Sequence, residues 1–202
     1  MVKNYIFDFG NVLALFAPDE LTEPYVKDPV LRRQVSQVVF DRLYWDRLDA
    51  GTITDEEVKA GIRSRLPEEL AEQGCRAYDG WVELRKPIPG MQKLVRDIHD
   101  MGGKLYLLSN ISIGFSENYH KSHWIRELFS LFDGLVFSGP IHMTKPSREI
   151  FQYLLDTYSL QPETCVFIDD SPKNIAGGEA AGIQGILFDG NAENLRKQLF
   201  PD

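Results

Sequence analysis

Five short apolar runs set the strongest limit on what this chain can fold into: Tyr5 to Phe9, Lys104 to Ser109, Gly134 to Ser138, Cys165 to Asp169, and Gln184 to Asp189. Each is rich in Val, Ile, Leu or Phe and shows little alternation. A strand with one wet face alternates apolar and polar side chains, whereas these runs ask for cover on both faces, as parallel strands flanked by helices do. The intervening segments supply such helices. Met91 to Met101 is periodic through Leu94, Val95 and Ile98, and Pro146-Ser147 opens a run with Ile150, Phe151, Leu154, Leu155 and Tyr158 at three- and four-residue spacing. Lys173 to Ala181 reads as a further helix closed by Gly182. Strands alternating with helices define an α/β fold, a doubly wound, Rossmann-like parallel sheet.

The stretch from about Pro18 to Trp81 breaks the alternation and contains no convincing strand. Asp28-Pro29 is an N-cap followed by proline at the first helical position, with Leu31, Val35, Val38 and Val39 behind it. Thr54-Asp55-Glu56-Glu57 matches a capping box, followed by Val58, Ile62 and Leu66. The expected organisation is a core over residues 1–16 and 82–202 with an all-helical cap over 17–81, the chain returning near the Pro87-Ile88-Pro89-Gly90 turn. An insertion after the first strand lies where it can close over the carboxyl ends of a parallel sheet.

Charge narrows the partners. The 202 residues carry a formal net charge of −8 with no run of Lys or Arg, which argues against nucleic acid or an anionic membrane surface. No segment reaches the eighteen or so apolar residues of a membrane span, and the N-terminus runs directly into an apolar strand, so a cytoplasmic protein is expected. Two cysteines, Cys75 and Cys165, do not form a disulfide framework, and Cys165 in its apolar run is expected to be a buried thiol.

Against this background four polar features stand out. Asp8 interrupts an apolar run, and a buried carboxylate is costly unless paired or metal-bound; alone it would as readily cap the next turn. Asp169 and Asp170 are adjacent where a strand gives way to a loop. Their repulsion suggests a cation, and magnesium prefers such hard oxygen ligands, although an acidic turn has the same composition. Ser109-Asn110 follows another buried strand, where a hydroxyl and backbone N–H groups can hold phosphate oxygens. Lys145 precedes a helix start, a place where a lone lysine is usually solvated.

The order of these features along the whole chain, including the helical insertion, resembles the haloacid dehalogenase superfamily. The resemblance implies a magnesium-dependent phosphatase acting through an aspartyl-phosphate on Asp8. Ser109 would bind the phosphoryl oxygens, with Asn110 and Asn11 as further substrate contacts, and Lys145 would neutralise Asp8 and the transferring group. Asp170 would be a direct Mg2+ ligand together with Asp8, with Asp169 beside it or acting through water, and the carbonyl of Gly10 would complete the protein's share of the shell. The substrate implied is a small phosphorylated metabolite, first a sugar phosphate.

One position departs from that pattern. Phosphatases of the superfamily usually carry a second aspartate two residues after the nucleophile as general acid and base, and here Gly10 stands there. Gly-Asn-Val after the nucleophile resembles a subgroup that includes bacterial α-D-glucose-1-phosphate phosphatases. Without that acid, turnover is expected to favour leaving groups that bear charge well, and Gly10 itself is a candidate for a positive φ. Three rival readings fit these residues less well. A metal-free 2-haloacid dehalogenase has no use for adjacent carboxylates, a phosphoryl mutase needs the missing acid, and a silent phosphate binder gains nothing from Asp8. Phe16, Tyr44, Trp45 and Asp49 are candidate cap contacts to the leaving group. His120 and His123 are expected in a solvated loop.

Overall fold

The computed structural model describes residues 3–201. β1 (Asn4–Phe7), β2 (Lys104–Ser109), β3 (Gly134–Phe137), β4 (Cys165–Asp169) and β5 (Gln184–Leu187) form one sheet in the order β3-β2-β1-β4-β5, every pair parallel. β1 is central, and the connections leave it first towards β2 and β3 and then towards β4 and β5. The missing alternation has the expected cause: Phe7 and Leu107 enter a core cluster on one face, while Ile6, Leu108 and Phe167 enter a second on the other.

Three strands stop one or two residues before the apolar runs do. β1 ends at Phe7 because the Phe9 carbonyl accepts from the N–H groups of both Leu13 and Ala14, closing a tight turn. β3 ends at Phe137, where a short helix begins, and β5 ends at Leu187.

Between β1 and the rest of the core lie five helices: α1 (Pro18–Thr22), α2 (Pro29–Val39), α3 (Arg42–Asp49), α4 (Asp55–Arg65) and α5 (Glu68–Leu84). They form the expected helical cap. Asp28 caps α2 by accepting from the N–H groups of Val30 and Leu31, and Thr54 with Glu57 closes the capping box of α4. Val35, Val39, Val58 and Ile62 fill the cap interior. The chain enters and leaves the cap side by side, since Leu15 N–H donates to the Lys86 carbonyl and Ile88 N–H to that of Leu13.

The core helices are α6 (Met91–Asp100), α7 (Ile113–Asn118), α8 (His123–Phe129), α9 (Ser138–Ile141), α10 (Arg148–Tyr158), α11 (Pro172–Ala180) and α12 (Ala192–Leu199). α10 buries Ile150, Phe151, Leu154 and Leu155, as their spacing predicts. α11 starts one residue earlier than expected, because Pro172 occupies its first turn. His120 and His123 are exposed, but on a 3-10 turn and at the start of α8 rather than in a loop. Cys75 and Cys165 are buried free thiols. No helix among the described residues is long and apolar enough to cross a membrane.

The end of α3 is fastened to the core. Ser138 Oγ donates to the Asp49 carbonyl at 2.6 Å and accepts from Ile111 N–H at 2.8 Å. Gly51 follows with φ +66°, and a Cβ there would lie 2.2 Å from the Gly139 carbonyl oxygen. Gly102 has a similar φ of +82° but nothing within 4 Å of a Cβ. Gly102→Ala should therefore cost only the left-handed strain, about 1 kcal/mol. Gly51→Ala should cost ~1–3 kcal/mol more, because cap and core backbones must separate. Thermal melts of the two variants test this at about 2–4 °C per kcal/mol; equal losses would show that the junction yields freely.

Candidate active site

Parallel strands carry their ends to one edge, and here the ends of β1, β2 and β4 converge. Asp8 N–H donates to the Ile168 carbonyl, which continues the ladder one residue and fixes where the Asp8 side chain leaves the sheet. Asp8 Oδ1 then accepts from Ser109 Oγ at 2.8 Å and lies 2.8 Å from Lys145 Nζ. Both fall on Oδ1, and Asp8 lines the cleft. Lys145 is not solvated: it is 4% exposed and donates to Asp169 Oδ2 at 2.6 Å as well. Burial alone would lower its pKa, but Asp8 and Asp169 more than offset that and raise it, so the ammonium is held protonated.

Asp169 and Asp170 divide. Asp169 is fully buried and accepts from Lys145, from Ser171 N–H and from Asn174 Nδ2. Burial and then the Asp8 charge push its carboxyl up to about 6, against the pull of those donors. Asp170 is exposed and lines the cleft; burial of its carboxyl and the Asp8 charge raise its pKa, with the Asn11 side chain opposing. Ligand oxygens of Asp8, Asp169 and Asp170 lie within 4.8 Å of one another. Three carboxylates held that close, two of them buried, fit a divalent cation that lowers their mutual repulsion.

Asn110 lines the cleft and also holds the main chain of Lys145. Its Oδ1 accepts from Lys145 N–H at 2.7 Å and its Nδ2 donates to the Lys145 carbonyl at 2.9 Å. Asn110 thus clamps the main chain that delivers the lysine. Asn11 is the left-handed residue of the first turn, at φ 55°, and its Oδ1 accepts from Phe16 N–H. Gly10 does not have a positive φ, so its lack of a side chain rather than its backbone sets it apart.

A cleft of about 730 Å³ opens over these groups between core and cap. Asp8, Gly10, Ser109 and Asp170 line its floor, and Phe16, Phe40, Trp45, Asp49 and Trp81 of the cap side line its roof. Tyr44, expected beside them, is instead half-buried over Gly61 and under the Arg65 guanidinium. The sequence reading missed Arg85, which lines the cleft from the end of α5. It is 5% exposed, and its guanidinium lies 4.9, 5.3 and 5.5 Å from the ring centres of Phe9, Phe16 and Trp81. A charged residue spaced four after Trp81 at a helix end looks like any solvated cap, so no local signal marks it.

The family comparison agrees with this geometry. A family model for haloacid dehalogenase-like hydrolases matches residues 2–182, and the chain belongs to that family. It is 24% identical to the sesquiterpene phosphatase astK of Aspergillus oryzae, over 91% of this chain and 88% of that protein. It is 26% identical to the D-ribitol-5-phosphate phosphatase of Bacteroides thetaiotaomicron, over 98% and 97%. A crystal structure of a HAD family enzyme from B. thetaiotaomicron, in complex with magnesium and inorganic phosphate, superposes with a TM-score of 0.71 at 20% identity, covering 95% of this chain and 96% of that one.

Asp49 carries a pH signature. Burial, then Asp46, then Asp8 push its carboxyl from 3.8 up to about 7, while Arg42 and Lys145 pull it down. At this position the folded protein therefore holds a proton that the unfolded chain has released, and the contribution of Asp49 to stability falls as pH rises from about 4 to about 7. Asp49→Asn removes that titration. Its melting temperature relative to the unmodified protein should climb between pH 5 and pH 8 and then level off, and a constant difference across this range would show that Asp49 ionises freely.

Proposed function

We propose that this chain is a magnesium-dependent phosphatase that hydrolyses a small phosphorylated metabolite through an aspartyl-phosphate on Asp8. The observation that carries this is the sharing of Asp8 Oδ1 by Lys145 and Ser109 at 2.8 Å each, at the floor of a cleft with Asp170 alongside. A carboxylate gripped by a cation and a hydroxyl on one oxygen presents the other as a nucleophile.

In the first step an Asp8 oxygen forms a bond to phosphorus and the bond from phosphorus to the ester oxygen breaks. The electron pair leaves with that oxygen. In the second step water attacks phosphorus, the bond to Asp8 breaks, and phosphate departs with the carboxylate regenerated. Lys145 opposes the charge on Asp8 and on the transferring group throughout, and Ser109 holds a phosphoryl oxygen. Asp8, Asp170 and the Gly10 carbonyl would hold Mg2+, which supplies positive charge against the phosphate oxygens when bound. Asp169 serves mainly to anchor Lys145. Asn110 positions Lys145 through both of its amide atoms and lines the cleft, where it is also a substrate contact, and Asn11 shapes the turn, faces Asp170 and lines the same cleft.

Residues 17–81 act as the lid and 1–16 with 82–202 as the core. The roof suits a sugar phosphate, whose ring can stack on Trp45 or Trp81 while hydroxyls meet Arg42 and Asp49. The aromatic wall of Phe16, Phe40, Trp45 and Trp81 favours an apolar leaving group as a second reading, in keeping with the sesquiterpene phosphatase relative. A phosphate-release screen of sugar, polyol and prenyl phosphates, with and without magnesium, separates the two. Halide release from 2-haloacids in the absence of metal would mark a dehalogenase instead.

Asp8→Asn should reduce turnover to background while the fold is kept, since the near-isosteric amide still offers an oxygen to Ser109 and Lys145 and Asp169 still pairs the ammonium; retained phosphate release from the variant would refute the mechanism. Chelation should stop activity, with calcium a poor substitute because it tolerates a looser shell. Asp170→Ala should raise the magnesium concentration needed for half-maximal rate. Asp169→Ala should instead lower both stability and rate, having cost Lys145 a partner. Activity that survives exhaustive chelation would overturn the metal assignment.

A further inference from the structure

Arg85 is a buried cation without an anion. Its Nη2 donates to the Ala14 carbonyl at 3.0 Å, its Nε has no partner, and among the described residues no carboxylate lies within ion-pair distance of it. Three aromatic rings hold the guanidinium in place, and its own carbonyl accepts from Trp124 Nε1 at 2.9 Å, so the residue is fixed at both ends. Burial lowers its pKa to about 9, with Asp8 opposing the drop, and it stays charged at neutral pH. A desolvated, unpaired charge is expensive, and cation–π contact returns only about 2 kcal/mol of that cost. The missing counter-charge can enter through the cleft that Arg85 lines.

Gly10 decides what Arg85 can reach. A Cβ at position 10 would meet Arg85 Nη2 as its nearest atom, at 3.9 Å. A side chain there would abut the guanidinium, and a carboxylate would neutralise it. Glycine leaves the cation open beside the nucleophile. We infer that Arg85 is a catalytic residue that stabilises negative charge on the departing ester oxygen. As the bond from phosphorus to that oxygen breaks, the electron pair moves onto the oxygen and Arg85 N–H groups hydrogen-bond to it. Arginine keeps its protons, and the departing oxygen takes its proton from water. The inference rests on the phosphatase reading above.

An electrostatic partner matters most for leaving groups that bear charge poorly, and this separates Arg85 from a residue that merely supports the fold. The test is kcat/KM, which reports the phosphorylation step, across phosphate esters graded by leaving-group pKa in the unmodified protein, Arg85→Lys and Arg85→Met. Arg85→Met should lose about tenfold on the most acidic aryl esters and on the order of 10³-fold on alkyl esters, steepening the dependence. Arg85→Lys should fall between. A loss equal across the series in both variants would overturn the inference, since it would reflect structure or phosphate binding. So would a steeper dependence in Asp49→Asn together with an unchanged slope in the Arg85 variants, because Asp49 would then be supplying a proton. If Arg85→Met does not fold, the slope of Arg85→Lys decides alone. Asp8→Asn distinguishes the two levels: release persisting there defeats the phosphatase reading, whereas release lost there with unchanged Arg85 slopes defeats only this inference.

Discussion

Lys145 Nζ lies 2.8 Å from Asp8 and 2.6 Å from Asp169, almost wholly out of water. Two carboxylates at the ends of adjacent strands cannot stay ionised and buried without such a cation, and the cation cannot stay buried without them. Everything nearby follows from keeping this triad together. β1 and β4 pair in register so that Asp8 and Asp169 emerge side by side, Asn110 grips the lysine's main chain, and Asn174 and Ser171 donate to the remaining oxygen of Asp169. With Asp169 consumed internally, Asp170 is the carboxylate left at the cleft surface. Adjacent residues in sequence thus have separate duties because a strand's alternation sends one inward and its end releases the other.

The cap is coupled to this centre by aromatic packing and by main-chain docking. Phe9, next to Asp8, packs against Phe115, which packs against Trp81; Trp45 links Trp81 to Phe16 and Phe40. Phe16 and Trp81 belong to the roof of the cleft and, with Phe9, to the cradle of Arg85 at once. A cap packed in this way presents a shaped wall to the cleft rather than open solvent, and excluding water strengthens each charge below it. The tie from Ser138 to Asp49, and the close approach of Gly51 to Gly139, register that wall against the floor.

Much of the architecture was legible because its signals are local. Non-alternating runs marked the parallel strands, Asp28 and Thr54 marked helix starts through their own capping bonds, and the order Asp8, Ser109, Lys145, Asp169-Asp170 marked the site. Strand ends were overrun by a residue or two, since where pairing stops depends on turns such as the one closed by the Phe9 carbonyl. The helices α3, α5, α7 and α8 gave weaker local signals, being defined by what they pack against. Tyr44 and Trp45 are neighbours on one helix, yet only Trp45 meets the cleft, a matter of which face α3 turns inward.

The sequence by itself determined the class of fold and the residue types of the floor, because burial on both faces and a charge inside an apolar run are costs written into short stretches of chain. Only the tertiary structure decided how those residues are used. It set Asp169 apart from Asp170, turned Asn110 into a clamp, raised the Asp49 pKa in the cap, and carried Arg85 from far along the chain to stand over the space at Gly10. The physical reason is that desolvation and electrostatic pairing depend on distances through space, and a buried charge acquires its role from whatever the fold brings within a few ångströms of it.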